Sequence, residues 1–441
     1  MPPSYLWAPG GTPGRRLGDR EQSISKPRPG GPGPRPHRPQ NGPTVATGTN
    51  PQAALRRRNL SAVVHAVAAG DNMSRAAVAA EVGLTRATVS TLVDELIAAG
   101  LVTELGAQRP GTVGRPGTAL ALSPRGPAGI GAEVGVDHLA ACVVDLRGTV
   151  RARATVEARN RGRAAAQTLG ELDGLVRQVT EEAVALGLRP AGLTVAVPGL
   201  VGRDQHTVLR APNLGWKNER TELTVENEAN LGALAELWLA GREKVLPATD
   251  TPQGAAQAPL TDFIHVSAEI GIGAALVING SLFRGARGFA GELGHVPVYP
   301  DGPRCSCGAR GCLEQYAGEE AVLRAAGIAP ELPGRLKALR TAASDDDAPA
   351  LAALEAAGRA LGIALSGAVN LLDPQAVVLG GPLSELAPWL LPGVRRELGR
   401  RVTGGGALVV ESRLGRDGVL LGAAYSAVRA VLDDPSEWTA R

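Results

Sequence analysis

The chain has 441 residues, 44% hydrophobic and 20% charged, which predicts a globular protein of two or three domains. No apolar run approaches the length needed to cross a bilayer, and the N-terminus does not resemble a signal peptide, so we expect a cytoplasmic protein. The net charge of +3 is unevenly distributed, since residues 1–125 carry 15 Lys and Arg against 7 Asp and Glu. A basic front end before an acidic body favours contact with a polyanion through the front end alone.

Residues 1–51 are dense in proline, glycine and arginine, with RPGGPGPRPHRP at 28–39 as the extreme. Such a composition buries too little apolar surface to offset the conformational entropy of the chain. We therefore predict a disordered tail, whose arginines either add non-specific DNA affinity or are passive.

Residues 52–125 are predicted to form three short helices and a hairpin. Ser74 and Thr85 are suitable N-caps for the second and third helices, and Gly83 is a suitable end for the second. The third helix carries apolar residues at the spacing of one buried face: Val89, Leu92, Val93, Leu96 and Ile97. Two helices joined by a short glycine-bearing turn are typical of a helix-turn-helix, and the hairpin is typical of a wing.

The polar end of the third helix and the wing tip carry small or cationic side chains suited to contacting DNA: Thr85, Arg86, Ser90, Thr91, Arg109 and Arg115. The alternative is a helical protein-interaction module, because small three-helix domains are common. The basic wing and the uneven charge favour DNA binding.

Residues 126–441 alternate β-rich runs with helical segments, and the pattern repeats from Phe263. Asn279-Gly280 between two apolar runs indicates a β-hairpin. Duplicated halves of this kind predict two α/β lobes with a cleft between them.

Three of the four cysteines, Cys305, Cys307 and Cys312, lie within eight residues, ten positions after His295. Three thiolates and one imidazole satisfy tetrahedral zinc, and the close spacing lets one loop, residues 291–316, surround the ion. The alternatives are incidental thiols or a disulfide, and disulfides are rare inside cells. The cluster therefore favours a structural zinc site.

The motif G-E-L-G-H at 291–295, followed by C-x-C-G-x-x-G-C-L-E, resembles the signature of the ROK family (repressors, open reading frames and sugar kinases). The resemblance covers about residues 129–432 and implies a two-lobed, actin-like (ribonuclease-H-like) sugar-kinase fold. A winged helix followed by such a body is similar to the repressor branch of the family.

The resemblance also implies a set of sugar-binding residues in the cleft: Asn227, Glu228, Glu292, His295 and Glu314. Carboxylates and amides suit neighbouring hydroxyls, because each oxygen accepts a hydrogen bond and can fix a second group. His295 would use one ring nitrogen for zinc and the other for the sugar. The alternative for Glu292 and Glu314 is that both are solvated surface charges.

Three departures from the family's kinases argue against phosphoryl transfer. Glu133–Asp137 lacks the second glycine and the threonine of the first phosphate turn, and Ala268–Ile270 replaces the second. Glu228 stands where the kinases have their catalytic aspartate, and the longer side chain displaces the carboxylate by about 1 Å. We therefore expect no catalytic residue, Glu228 being a degenerate base.

The sequence predicts a sugar-responsive DNA-binding repressor of carbohydrate-metabolism genes, acting as a homodimer or higher homo-oligomer on operator DNA, without a membrane partner. The alternative is an ATP-dependent cytoplasmic sugar kinase of the ROK family. Only eight residues separate Trp216 from Val225, where relatives have a longer helical stretch. This shortened wall would widen the pocket, change its ligand or abolish binding.

Overall fold

The computed structural model of the protein describes residues 51–70, 72–107, 118–240, 260–268, 270–404 and 407–439. These residues form a small helical unit followed by two α/β lobes, which confirms the predicted fold class. The predicted N-terminal tail and the wing residues Arg109 and Arg115 lie outside the described residues.

The N-terminal unit has three helices and an antiparallel hairpin: α1 (Pro51–Ala69), α2 (Arg75–Val82), α3 (Arg86–Ala98), β1 (Val102–Ala107) and β2 (Thr118–Leu122). The predicted caps are confirmed, because Ser74 accepts a hydrogen bond from the N–H of Ala77 and Thr85 from that of Thr88. Gly83 ends α2 with φ +68°, a left-handed conformation that favours glycine. Helices α2 and α3 are bent by 113° at the turn.

The predicted apolar face of α3 packs inward, with Val89, Leu92, Val93 and Leu96 buried and Ile97 half-buried. It belongs to a hydrophobic core that continues from the N-terminal unit into the first lobe. The winged unit and the first lobe therefore share one core.

The first lobe is built on a sheet of order β10-β6-β3-β4-β5. Its strands and its packed helix are β3 (Pro127–Val134), β4 (His138–Asp145), β5 (Val150–Glu157), α4 (Ala165–Ala185), β6 (Arg189–Val197) and β10 (Thr224–Asn227). A three-stranded antiparallel sheet stands before β10: β7 (Leu200–Val201), β8 (Thr207–Ala211) and β9 (Trp216–Arg220). The shortened stretch after Trp216 is thus a strand of this small sheet.

The second lobe has a sheet of order β13-β12-β11-β14-β15. Its strands are β11 (Phe263–Ala268), β12 (Ile272–Ile278), β13 (Ser281–Phe283), β14 (Ala376–Gly380) and β15 (Leu408–Glu411). Asn279 and Gly280 both have positive φ between β12 and β13, which confirms the predicted hairpin.

The helices of the body are α5 (Glu228–Leu239), α6 (Glu314–Ala317), α7 (Glu319–Ala325), α8 (Arg335–Ser344), α9 (Ala348–Leu372), α10 (Pro382–Arg401), α11 (Gly418–Asp433) and α12 (Ser436–Thr439). Contrary to the sequence expectation, α9 is long and apolar enough to span a membrane by length and composition. It is a core helix here, because 56% of its most apolar 18-residue stretch is buried. At Gly358 it also approaches the backbone of Leu390 on α10 so closely that a Cβ would clash.

Helix α11 connects the body to the winged unit. Ser61 Oγ donates to the carbonyl of Leu432 at 3.2 Å, and His65 Nε2 lies 2.8 Å from Asp433 Oδ1. Together with the shared core, these contacts fix the winged unit to the first lobe.

His265 on β11 is a fully buried histidine without a hydrogen-bond partner at Nδ1 among the described residues. A Cβ added at Gly232 of α5 would lie 2.5 Å from its ring, and one added at Gly380 would lie 2.1 Å from it. The ring therefore fills a space that only glycines leave open. Burial lowers the pKa of His265 to about 4.

We expect this histidine to make stability depend on pH. Below pH 6.5 the unfolded chain binds a proton that the folded protein excludes, so stability is complete above pH 6.5 and is lost as the pH falls towards 4, by about 3 kcal/mol. Urea unfolding of wild type and His265→Gln at pH 7.5 and 5 measures this. Between pH 7.5 and 5 the wild type should lose more stability than His265→Gln. The control variant, His206→Gln, should lose as much as the wild type. Equal losses in wild type and His265→Gln would contradict the prediction.

Candidate functional site

The four predicted metal ligands converge on one point. The ligand atoms of His295, Cys305, Cys307 and Cys312 all lie within 4.8 Å of one another. Cys305 Sγ is 3.6 Å from His295 Nδ1, and Cys307 Sγ is 3.7 Å from Cys312 Sγ. Zinc–sulfur bonds of about 2.3 Å in a tetrahedron place sulfurs about 3.8 Å apart, so the cluster has the size of a zinc site.

The loop around this cluster requires two left-handed glycines, Gly308 (φ +98°) and Gly311 (φ +67°). A Cβ at Gly311 would lie 1.6 Å from the carbonyl oxygen of Tyr299, so only glycine fits. Burial raises the pKa of Cys312 to about 12, whereas a backbone N–H lowers that of Cys307. Metal binding would displace the thiol protons, and three thiolates with one imidazole are a donor set that suits a divalent cation, so the residues present can hold a metal ion.

Cys142 lies apart from this cluster on β4 with 1% of its surface exposed. Burial raises the pKa of its thiol to about 12. It is a buried core residue and takes no part in the metal cluster.

His295 connects the metal cluster to the cleft. Its Nδ1 faces Cys305, whereas its Nε2 lies 3.7 Å from Glu292 Oε2. Burial raises the pKa of Glu292, Glu314 raises it further, and His295 opposes both effects. One ring nitrogen thus faces the cysteine cluster, and the other faces the carboxylate of Glu292.

The cleft beside Glu292 is lined by polar and small residues of both lobes. The first lobe contributes Gly199, Leu200, Val201, Glu226, Asn227 and Asn230, and the second Gly273, Ala274, Gly288, Ala290 and Glu292. Glu314 approaches from the base of α6, where a Cβ at Gly271 would lie 2.6 Å from its Oε2. Glycines therefore open the space between the carboxylates.

Asn227 has a structural role that the sequence did not indicate. Its Oδ1 caps α5 by accepting from the N–H groups of Ala229 and Asn230, and its Nδ2 donates to Gly199 at 2.8 Å. One Nδ2 hydrogen remains for a ligand. Glu228, half-buried, is the first residue of α5 and does not line the cleft just described.

Glu226 is a site residue that sequence reasoning missed. Its side chain is 3% exposed and forms an ion pair with Arg284 of the second lobe. Its Oε1 accepts from the N–H of Asn227 and from Asn230 Nδ2, and its Oε2 accepts from Gln205 Nε2. The sequence feature that could have revealed it is a carboxylate at the carboxyl end of a buried strand, next to the residue that caps the following helix.

The predicted DNA-contacting residues on α3 lie at its N-terminal end. Thr85, Arg86 and Thr91 are exposed and Ser90 is half-buried. Thr85 also caps the helix, and Thr91 donates to the carbonyl of Ala87. Arg86 therefore presents its charge to solvent beside the helix N-terminus.

Sequence reasoning also missed Arg75, which lies at the start of α2. Its guanidinium donates to the carbonyl of Ser90 and pairs with Asp94 of α3 at 2.7 Å and Glu104 of β1 at 3.0 Å. It therefore fixes α3 against α2 and the hairpin.

The fold and the site define a two-lobed protein with a cleft, a cysteine-rich loop and an N-terminal winged unit. The ROK family profile matches residues 129–429. A xylose repressor from Bacillus spizizenii is 30% identical over 398 residues, covering 87% of this chain and 98% of its own. The chain therefore belongs to the ROK family.

Two solved structures share the fold. A ROK family transcriptional regulator, a homologue of the E. coli MLC protein, has a TM-score of 0.68 at 23% identity and covers 86% of this chain and 97% of its own. A ROK family glucokinase from Streptomyces griseus, solved with glucose and AMPPNP, has a TM-score of 0.57 at 29% identity and covers 68% and 99%. The actin-like body is common to both.

We expect one tightly bound divalent metal ion per chain, held by the four-residue cluster. Metal analysis after dialysis against a weak chelator should give one equivalent for the wild type and for Cys142→Ala, the matched control. Cys307→Ala should retain well below one, because three ligands hold a metal ion less tightly than four. Full retention by Cys307→Ala would show that the ion is held elsewhere.

Proposed function

We propose that this protein is a sugar-responsive DNA-binding transcriptional regulator, a repressor of carbohydrate-metabolism genes that acts in the cytoplasm. The supporting observation is the extent of similarity: the xylose repressor matches 87% of the chain, whereas the glucokinase structure matches 68%. The additional length accommodates the winged unit, which a kinase does not require.

In this proposal the winged unit, residues 52–125, binds operator DNA. The N-terminal end of α3, bearing Thr85, Arg86, Ser90 and Thr91, enters the major groove, and Arg109 and Arg115 of the wing contact the backbone or the minor groove. The protein acts as a homodimer, because helix-turn-helix proteins bind paired half-sites about one helical turn apart.

The effector is proposed to be a neutral sugar bound by Asn227, Glu292, His295 and Glu314. Glu228, which the resemblance also implied, does not line the cleft and is left out of this set. The charge of Glu226 is balanced by Arg284, which leaves Glu292 and Glu314 to dominate the cleft. An anionic sugar phosphate would be repelled there, whereas hydroxyls donate readily to carboxylates. Zinc at His295 and the three cysteines would hold the loop rigid and orient the imidazole.

The route from cleft to DNA runs through helices. α5 begins at the cleft with Asn227 as its cap and packs against α11, which contacts α1 of the winged unit. A ligand that prefers one arrangement of the lobes shifts DNA affinity by its differential affinity for the two states. A tenfold change requires about 1.4 kcal/mol of coupling.

The DNA-binding assignment predicts that Arg86→Ala weakens binding to DNA from upstream of the protein's own gene by about 1–3 kcal/mol and blurs its specificity. Arg58→Ala, an exposed arginine on α1, is the matched control and should have a smaller effect. Fluorescence anisotropy with the target and a scrambled duplex measures both. Unchanged binding after deletion of residues 1–125 would overturn the assignment.

The proposal also predicts no useful sugar kinase activity. A coupled assay of ADP formation with ATP, Mg²⁺ and a panel of hexoses and pentoses should show no turnover above background, for the wild type and for Glu228→Asp alike. Restoring the shorter acid is insufficient because the phosphate turn at Glu133–Asp137 is altered as well. Turnover by the wild type that Glu228→Ala abolishes would establish the kinase alternative.

A further inference from the structure

An ion pair crosses the cleft at the proposed sugar site. Glu226 is the penultimate residue of β10 in the first lobe, and Arg284 follows β13 at the edge of the second-lobe sheet. The Glu226 side chain is 3% exposed, and that of Arg284 is 33% exposed. The pair therefore connects the two lobes through a carboxylate that is shielded from water, although the guanidinium is one-third exposed. An ion pair with one buried partner is screened less than a fully exposed one.

Glu226 holds other groups and has little capacity left for a ligand. Its two oxygens accept from a backbone N–H, from the side chains of Asn230 and Gln205, and from Arg284. These partners occupy the four acceptor positions of a carboxylate. Its role is therefore to position neighbouring groups.

The pocket itself is complete only when the lobes are together, because each lobe supplies about half of its lining. A ligand that touches both halves binds the closed arrangement more tightly than an open one. Its apparent affinity then falls in proportion to the fraction of protein that is closed.

We propose that Glu226 and Arg284 form a lobe latch that holds the pocket closed before the effector arrives and so sets its affinity. The effect of the lobe latch on affinity rests on the proposed sugar-binding function. Its effect on the lobes does not, since the ion pair acts on them with or without sugar.

A second ion pair between the same lobes provides a matched control. Arg161 and Glu320 are joined at 3.1 Å, with side chains 57% and 41% exposed. Exposed pairs contribute little to stability because water and salt screen them. Removing the Arg161 charge should therefore leave the lobes together.

The first arm of the test uses the full chain without ligand. Arg284→Met removes the charge at nearly constant length, and Glu226→Gln/Arg284→Met leaves no unpaired buried charge. In both variants hydrogen exchange at residues 284–290 should become at least about tenfold faster. The radius of gyration from X-ray scattering should increase, and Arg161→Met should match the wild type in both measurements.

The second arm measures calorimetric affinity for D-xylose and D-glucose. For a sugar that the wild type binds, Arg284→Met should bind about tenfold more weakly, Arg284→Lys should recover part of the loss, and Arg161→Met should be unchanged. A purely structural role would lower thermal stability without this graded recovery of affinity.

The two arms separate the possible failures. If both Arg284 variants show the same hydrogen exchange and the same radius of gyration as the wild type, the lobe latch is overturned, whatever the sugar data show. Faster exchange and opening in these variants, with no sugar bound by the wild type, support the lobe latch and count against the proposed effector.

Discussion

The packing of α5 is the constraint on which the rest of the structure depends. This helix starts at the cleft and lies against both sheets and α11, and at its contacts with β11 and α11 a glycine permits an approach that a Cβ would block. Gly232 leaves room for the ring of His265, and Gly422 of α11 brings its Cα close to the carbonyl of Leu231. Because packed helices have few alternative arrangements, a displacement of α5 cannot be absorbed locally and passes to its neighbours.

The contacts of α11 explain how such a displacement would affect the winged unit. α11 packs on β3, where a Cβ at Gly129 would lie 2.0 Å from the carbonyl oxygen of Ala424, and its C-terminal end contacts α1. The winged unit shares its core with this region. It therefore moves with the first lobe, and the angle between the lobes changes where the second lobe lies relative to the proposed DNA-binding surface.

The cleft combines two kinds of rigidity. On one side the cysteine cluster fixes His295 through Nδ1, and on the other the buried carboxylate of Glu226 fixes the cap region of α5. Both devices position groups without contacting a ligand directly. A site built in this way loses little conformational entropy on binding, which raises its affinity for a ligand that fits it.

The sequence by itself determined features that depend on near neighbours. The metal cluster, the caps at Ser74 and Thr85 and the hairpin at Asn279-Gly280 all follow from residues a few positions apart, where spacing alone fixes geometry. The family signature extended this local information to the fold of the body. Only the tertiary structure decided the pairing of Glu226 with Arg284, the burial of His265 and the docking of α1 on α11. These contacts join residues dozens to hundreds of positions apart. A single charged residue or histidine in a sequence does not indicate which distant side chain or glycine folding places against it.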